Sequence, residues 1–137
     1  MKVLIISNMY PSIQKPYSGV FVKNQFEALK AVLGEECVDI MFMRRTFTNT
    51  FGSVWKYTRF TIYLLLSYFK KHDVIHFHYF YLTVIFLPYK IFYPNTKFAV
   101  TFHGQDIIRL RATKVYLFFF RLLAKNIVIL LCLIQTL

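Results

Sequence analysis

Three histidines are the residues of this chain best suited to hydrogen-bond a ligand or handle a proton. His103 closes the run Val100-Thr101-Phe102 and is followed by Gly104, Gln105 and Asp106. The run reads as a buried strand that stops at the histidine, with Asp106 opening a helix. An imidazole can donate or accept at either ring nitrogen and titrates near neutrality. The competing reading is a satisfied histidine at a strand end. Asp106 is accounted for as an ordinary helix cap, favoured by the helix dipole. His76 and His78 lie two apart and share one face of another strand. Such a pair could begin a metal site, but no acidic or cysteine ligand accompanies it, so no metal is expected. One or both are expected to line the crevice or pack inside it.

The loop from Ser7 to Gly19 follows the first apolar run. A dinucleotide-binding fold would carry G-x-G-x-x-G here. Gly19 is the loop's only glycine, which disfavours a dinucleotide site. A single glycine before a helix either lets a ligand approach the helix N-terminus or serves as a plain turn residue. A third group is basic: Lys56, Arg59, Lys70 and Lys71 are mixed with Trp55, Tyr57, Phe60 and Tyr63. That mixture suits a helix touching an anionic membrane, or a core helix with a solvated basic side.

The elements that would position these residues alternate in type. Lys2–Ile6 is a continuous aliphatic run, as in a strand buried on both faces. Val22, Phe26, Leu29 and Leu33 form one helical stripe, stopped by Gly34. Val38–Met43 reads as a second strand. Phe51–Lys71 reads as a long helix with Ser53 as its cap. Val74–His78 is a third strand. Leu82–Tyr93 is helical, broken at Pro88 and closed at Pro94. Phe98–Phe102 is a fourth strand, Asp106–Lys125 a helix, and Ile127–Ile134 a fifth strand. Strands alternating with helices imply a parallel α/β sheet with helices on both faces, Rossmann-like, in a single domain.

Composition agrees. The chain has 137 residues, of which 57% are hydrophobic and 20% aromatic, so a packed core is expected and disorder is not. Seventeen Lys and Arg against six Asp and Glu give a net charge of +11, which draws phosphates on nucleic acid, lipid or nucleotide-linked substrates. No nucleic-acid reading motif accompanies the charge, so no nucleic-acid partner is expected. Cys37 and Cys132 sit in apolar runs and suggest a reducing compartment. The run Val74–Tyr89 lacks Lys, Arg, Asp and Glu, yet falls short of the roughly 18–20 apolar residues of a spanning helix. A cytoplasmic chain is expected, with possible peripheral contact at the inner membrane face.

Lys2-Val3-Leu4-Ile5-Ile6-Ser7, Tyr10-Pro11, and Ser18-Gly19-Val20-Phe21-Val22-Lys23 with Gln25 and Leu29 resemble the N-terminal domain of family-4 glycosyltransferases. So do Asp73-Val74-Ile75-His76-Phe77-His78-Tyr79 and Val100-Thr101-Phe102-His103-Gly104-Gln105-Asp106. The resemblance covers residues 1 to about 125. It implies a GT-B enzyme that retains anomeric configuration, takes a nucleotide-sugar donor and needs neither metal nor cofactor. His103 would face the transferred sugar, Gly19 would lie near donor phosphates and acceptor, and Asp106 would order the loop after His103. Gly104 and His78 would also contact substrate. The resemblance further implies that this is the acceptor-side half, with the donor-binding half absent, and inactive alone. Ser18 stands where the family often pairs a second glycine with Gly19. The alternative expectation is a non-catalytic basic module that binds a membrane surface or a partner.

Overall fold

A computed structural model describes residues 1–43, 50–103, 114–115, 117–118, 121 and 127–131. Five parallel strands form one sheet: β1 (Val3–Ser7), β2 (Val38–Phe42), β3 (Val74–Phe77), β4 (Lys97–Phe102) and β5 (Ile127–Leu131), in the order β2-β1-β3-β4-β5. The helices are α1 (Val20–Leu33), α2 (Thr50–Leu66), α3 (Phe80–Ile85) and α4 (Tyr89–Phe92). This is the expected Rossmann-like α/β architecture.

Side-chain alternation along the strands builds two cores. Val3, Ile5, Val38 and Val74 turn to one face and pack with α1 through Val22, Phe26 and Leu29. Leu4, Ile6, Ile75, Phe77, Phe98 and Val100 turn to the other, against Phe60 and Leu64 of α2 and the residues of α3 and α4. The histidines of β3 share the parity of Val74, so they belong to the α1 face.

The chain passes from β1 outward to β2, then back across β1 to β3. That reversal puts a topological switch point between β1 and β3, and the crevice outside the carboxyl ends of such strands is where open α/β sheets bind ligands. The opposite edge is lashed shut. The Tyr89 hydroxyl accepts from the His72 amide at 2.9 Å and donates to the Lys70 carbonyl at 3.0 Å. Thr96 Oγ1 donates to the His72 carbonyl at 2.7 Å.

One local expectation is corrected. Ser53 does not cap α2, because the helix already begins at Thr50 and Ser53 lies within its first turns. The segment expected to be helical over Leu82–Tyr93 and broken at Pro88 is indeed two short helices, the first starting at Phe80, with the chain turning through Phe86–Pro88. Proline fixes its own φ and lacks an amide hydrogen, so Pro88 stands as the N-cap of α4 and cannot continue α3. β5 ends at Leu131, and the rest of the expected run to Ile134 lies outside the described residues. Within the expected helix Asp106–Lys125, the described positions 114, 115, 117, 118 and 121 are helical.

Candidate functional site

Strand register assembles the site. His76 pairs with Ala99 across β3 and β4, so the two-residue period carries Thr101 and then His103 along the face that His76 and His78 share. Three imidazoles therefore form a row at the carboxyl edge. His76 and His78 stack at 4.7 Å, and His78 and His103 at 6.0 Å with planes 21° apart. Phe21, in the first turn of α1, lies against the row at 5.6 Å from His78 and 4.8 Å from His103. Tyr79 closes the far side, 5.0 Å from His103, and its hydroxyl donates to Met9 Sδ at 3.3 Å. The His78 amide donates to the Ile6 carbonyl at 2.9 Å, which ties the end of β3 to β1 across the switch point.

The three rings have different duties. His76 is held at both nitrogens. Gln25 Nε2 lies 3.0 Å from Nδ1, and Thr101 Oγ1 lies 2.8 Å from Nε2. With the amide donating to Nδ1, Nε2–H donates to the threonine, which defines a neutral tautomer. Burial, reinforced by His103, pushes the His76 pKa down to about 4. His76 thus packs inside the crevice wall. His78 is 2% exposed, and neither ring nitrogen has a hydrogen-bond partner among the described residues. Burial, then the neighbouring His76 and His103, push its pKa down to about 3. A buried imidazole with unused donor and acceptor capacity is costly unless something completes it. His103 is buried, and burial holds its pKa below the usual histidine value against a hydrogen bond with the His78 backbone. No carboxylate is hydrogen-bonded to His76 or His78 among the described residues. The row is therefore neutral at physiological pH, equipped to orient hydroxyls or accept a hydrogen bond.

Gly19 has a structural job. It caps α1 with φ 73°, in the left-handed region, and its carbonyl accepts from the Val22 and Lys23 amides at 3.0 and 3.2 Å. A Cβ there would stand 2.8 Å from the Met9 carbonyl carbon and 2.9 Å from the Tyr10 nitrogen. The close approach that requires glycine is made by this chain's own loop. That loop walls a cavity of about 510 Å³ lined by residues 8–15, Ser18, Phe42 and Met43. Tyr10 stacks on Phe42 at 4.2 Å along the wall. Asn8 Oδ1 is buried there, without a hydrogen-bond partner among the described residues.

The remaining sequence candidates are dispersed. Gly104 and Asp106 lie outside the described residues. Lys56 sits over the Tyr57 ring at 5.1 Å, and Arg59 is exposed on α2. Lys70 and Lys71 precede β3, at the edge opposite the histidines. Lys70 Nζ is 2.6 Å from Asp39 Oδ2. Burial raises the Asp39 pKa, but hydrogen bonds from Lys70 and His72 outweigh it and hold the carboxyl below its usual value. No group of three or more His, Cys, Asp or Glu residues could hold a metal ion among the described residues. No described helix is long and apolar enough to cross a membrane.

The roles of Phe21, Thr101, Tyr79 and Asn8 were not legible from spacing. For Thr101 a signal existed, since it precedes His103 by two and so shares its face. No family model, curated protein or solved structure matches this chain.

Proposed function

We propose that these residues form the acceptor-side domain of a glycosyltransferase that moves a sugar from a nucleotide-sugar donor onto an acceptor hydroxyl. The observation that supports this most is the neutral row His78–His103, walled by Phe21 and Tyr79, at the carboxyl edge beside the switch point. Neutral imidazoles next to aromatic rings suit an uncharged, hydroxyl-rich ligand with apolar faces. His103 orients the transferred sugar. His78 supplies a second hydrogen bond, and Gly104 and Asp106 complete the substrate-contacting residues in this reading. The cavity behind Gly19 receives the acceptor, and Asn8 Oδ1 accepts from one of its hydroxyls. Leaving-group charge is stabilised by hydrogen-bond donors aimed at the departing phosphate. No metal or cofactor is needed. This reading places the chain in the cytoplasm.

The test is protein-observed NMR on the histidine-labelled chain, with a panel of saccharide acceptors and nucleotide sugars. Saccharides are expected to shift the His78 and His103 ring signals, and His103→Ala is expected to weaken binding about tenfold or more. A panel in which nothing perturbs either ring would overturn the reading.

A further inference from the structure

The cavity behind Gly19 suits a flat apolar body that carries a hydroxyl. Its wall holds Met9, Tyr10, Ile13, Phe42 and Met43. Tyr10 and Phe42 lie nearly parallel, with planes 16° apart. Stacked aromatic side chains extend readily onto a further ring, and a thioether sulfur favours contact with an aromatic. The volume of about 510 Å³ falls within the roughly 300–1,000 Å³ of small-molecule sites. The polar groups of the wall are mostly engaged already. The Ser12 and Lys15 amides donate to each other's carbonyls at 3.3 and 3.1 Å, and the Ser18 amide donates to the Lys15 carbonyl at 3.2 Å. The Met9 amide donates to Ser7 Oγ at 3.1 Å. Ser12, Gln14 and Lys15 are exposed to water. The buried acceptor left unanswered on this wall, among the described residues, is Asn8 Oδ1.

That inventory selects the ligand. A buried carbonyl oxygen asks for one donor, which a single hydroxyl supplies. A sugar ring would bring several hydroxyls and turn most of them onto methionine and aromatic side chains, each an unpaired polar group with its cost. No Asp or Glu lines the cavity among the described residues, so a cationic ligand finds no counter-charge. Met9 also joins the cavity to the histidine row. Its Sδ accepts from the Tyr79 hydroxyl at 3.3 Å, and the Tyr79 ring lies 5.0 Å from His103. We propose that the acceptor carries an aromatic hydroxyl group of the phenol class. The ring lies in this cavity against Tyr10, Phe42, Met9 and Met43, and its hydroxyl donates to Asn8 Oδ1. The rest of the acceptor extends past Met9 toward His78 and His103. That the ligand is an acceptor rests on the glycosyltransferase reading, while the preference for an aromatic hydroxyl is a property of the wall itself.

The chain has four methionines, and two of them, Met9 and Met43, line the cavity. The experiment titrates the full chain, labelled with ¹³C at the methionine methyls, with naphthol, naphthyl methyl ether and methyl glucoside. Naphthol is expected to shift the Met9 and Met43 signals saturably through its ring current, and to leave Met1, at the opposite sheet edge, unmoved. The ether cannot donate, so it should bind about fivefold more weakly. In Asn8→Leu that preference should vanish. Phe42→Leu should weaken both aromatic ligands about threefold or more, and thermal melts verify that each variant folds. The proposal is overturned if naphthol leaves both methyls unmoved or if the ether binds the wild type as well as naphthol does. It is equally overturned if Asn8→Leu keeps the preference, or if methyl glucoside moves the two methyls as strongly. Those outcomes leave the glycosyltransferase reading intact, which stands or falls on the His78 and His103 ring signals.

Discussion

The rings of His76 and His78 stack with centroids 4.7 Å apart and planes 24° apart, although only one of them is hydrogen-bonded at both nitrogens. Parallel neutral imidazoles tolerate this arrangement, whereas two imidazolium rings at that separation would repel.

Stability should therefore fall in mild acid. The folded pKa values lie at about 4 for His76 and about 3 for His78, below the ordinary 6.5. The unfolded chain takes up these protons first, so stability is full above about pH 6.5 and is lost as the pH drops toward 4. The slope should approach about 1.4 kcal/mol per pH unit for each histidine. Urea unfolding between pH 7.5 and 4.5 measures it, and a flat profile would sink the assignment. His78→Phe should remove about half the slope.

The tautomer of His76 is a separate prediction. Gln25 donating to Nδ1 and Thr101 accepting from Nε2–H require the Nε2–H form from pH 8 down to about 5.5. Two-bond ¹⁵N–¹H correlation spectra distinguish it from the Nδ1–H form. Thr101→Val should destabilise by about 1–2 kcal/mol, because a buried donor loses its partner.

Gly19→Ala should cost roughly 2 kcal/mol or more, combining left-handed strain with a backbone clash. Asparagine tolerates positive φ better than alanine. If strain alone decided the effect, Gly19→Asn would recover much of the loss. With Met9 and Tyr10 backbone atoms within 2.9 Å of the new Cβ, it should not. Chemical denaturation of the two variants side by side separates the causes.

Tyr89→Phe keeps the ring and deletes one oxygen. That oxygen serves both the His72 amide and the Lys70 carbonyl, so the variant should lose about 1–3 kcal/mol. Hydrogen exchange at the His72 amide should accelerate in step. Unchanged protection there would refute the bridging role.

Much of this was readable from residue order. The strands are short continuous apolar runs, and their two-residue period places His76 and His78 on one face. α1 was legible because its stripe is single. α2 was legible as a helix, but its orientation was not: a helix with two apolar sides does not declare which one meets the sheet, and Phe60 with Leu64 won over the broader stripe through Trp55 and Leu66. The Gln25–His76 bond joins residues 51 apart in the chain and leaves no mark in local pattern. The constraint on Gly19 was equally hidden, because it comes from the folding back of Met9 and Tyr10.

The link from Gln25 through His76 to Thr101 spans one helix and two strands. For a lineage carrying this domain, the three positions are inherited as one character. A drift to leucine at position 25 alone would strand a ring nitrogen and be selected against, while a joint change of all three to apolar residues would pass. Descendants should therefore divide into two populations, one keeping the polar trio and one having exchanged it whole, with few sequences in between.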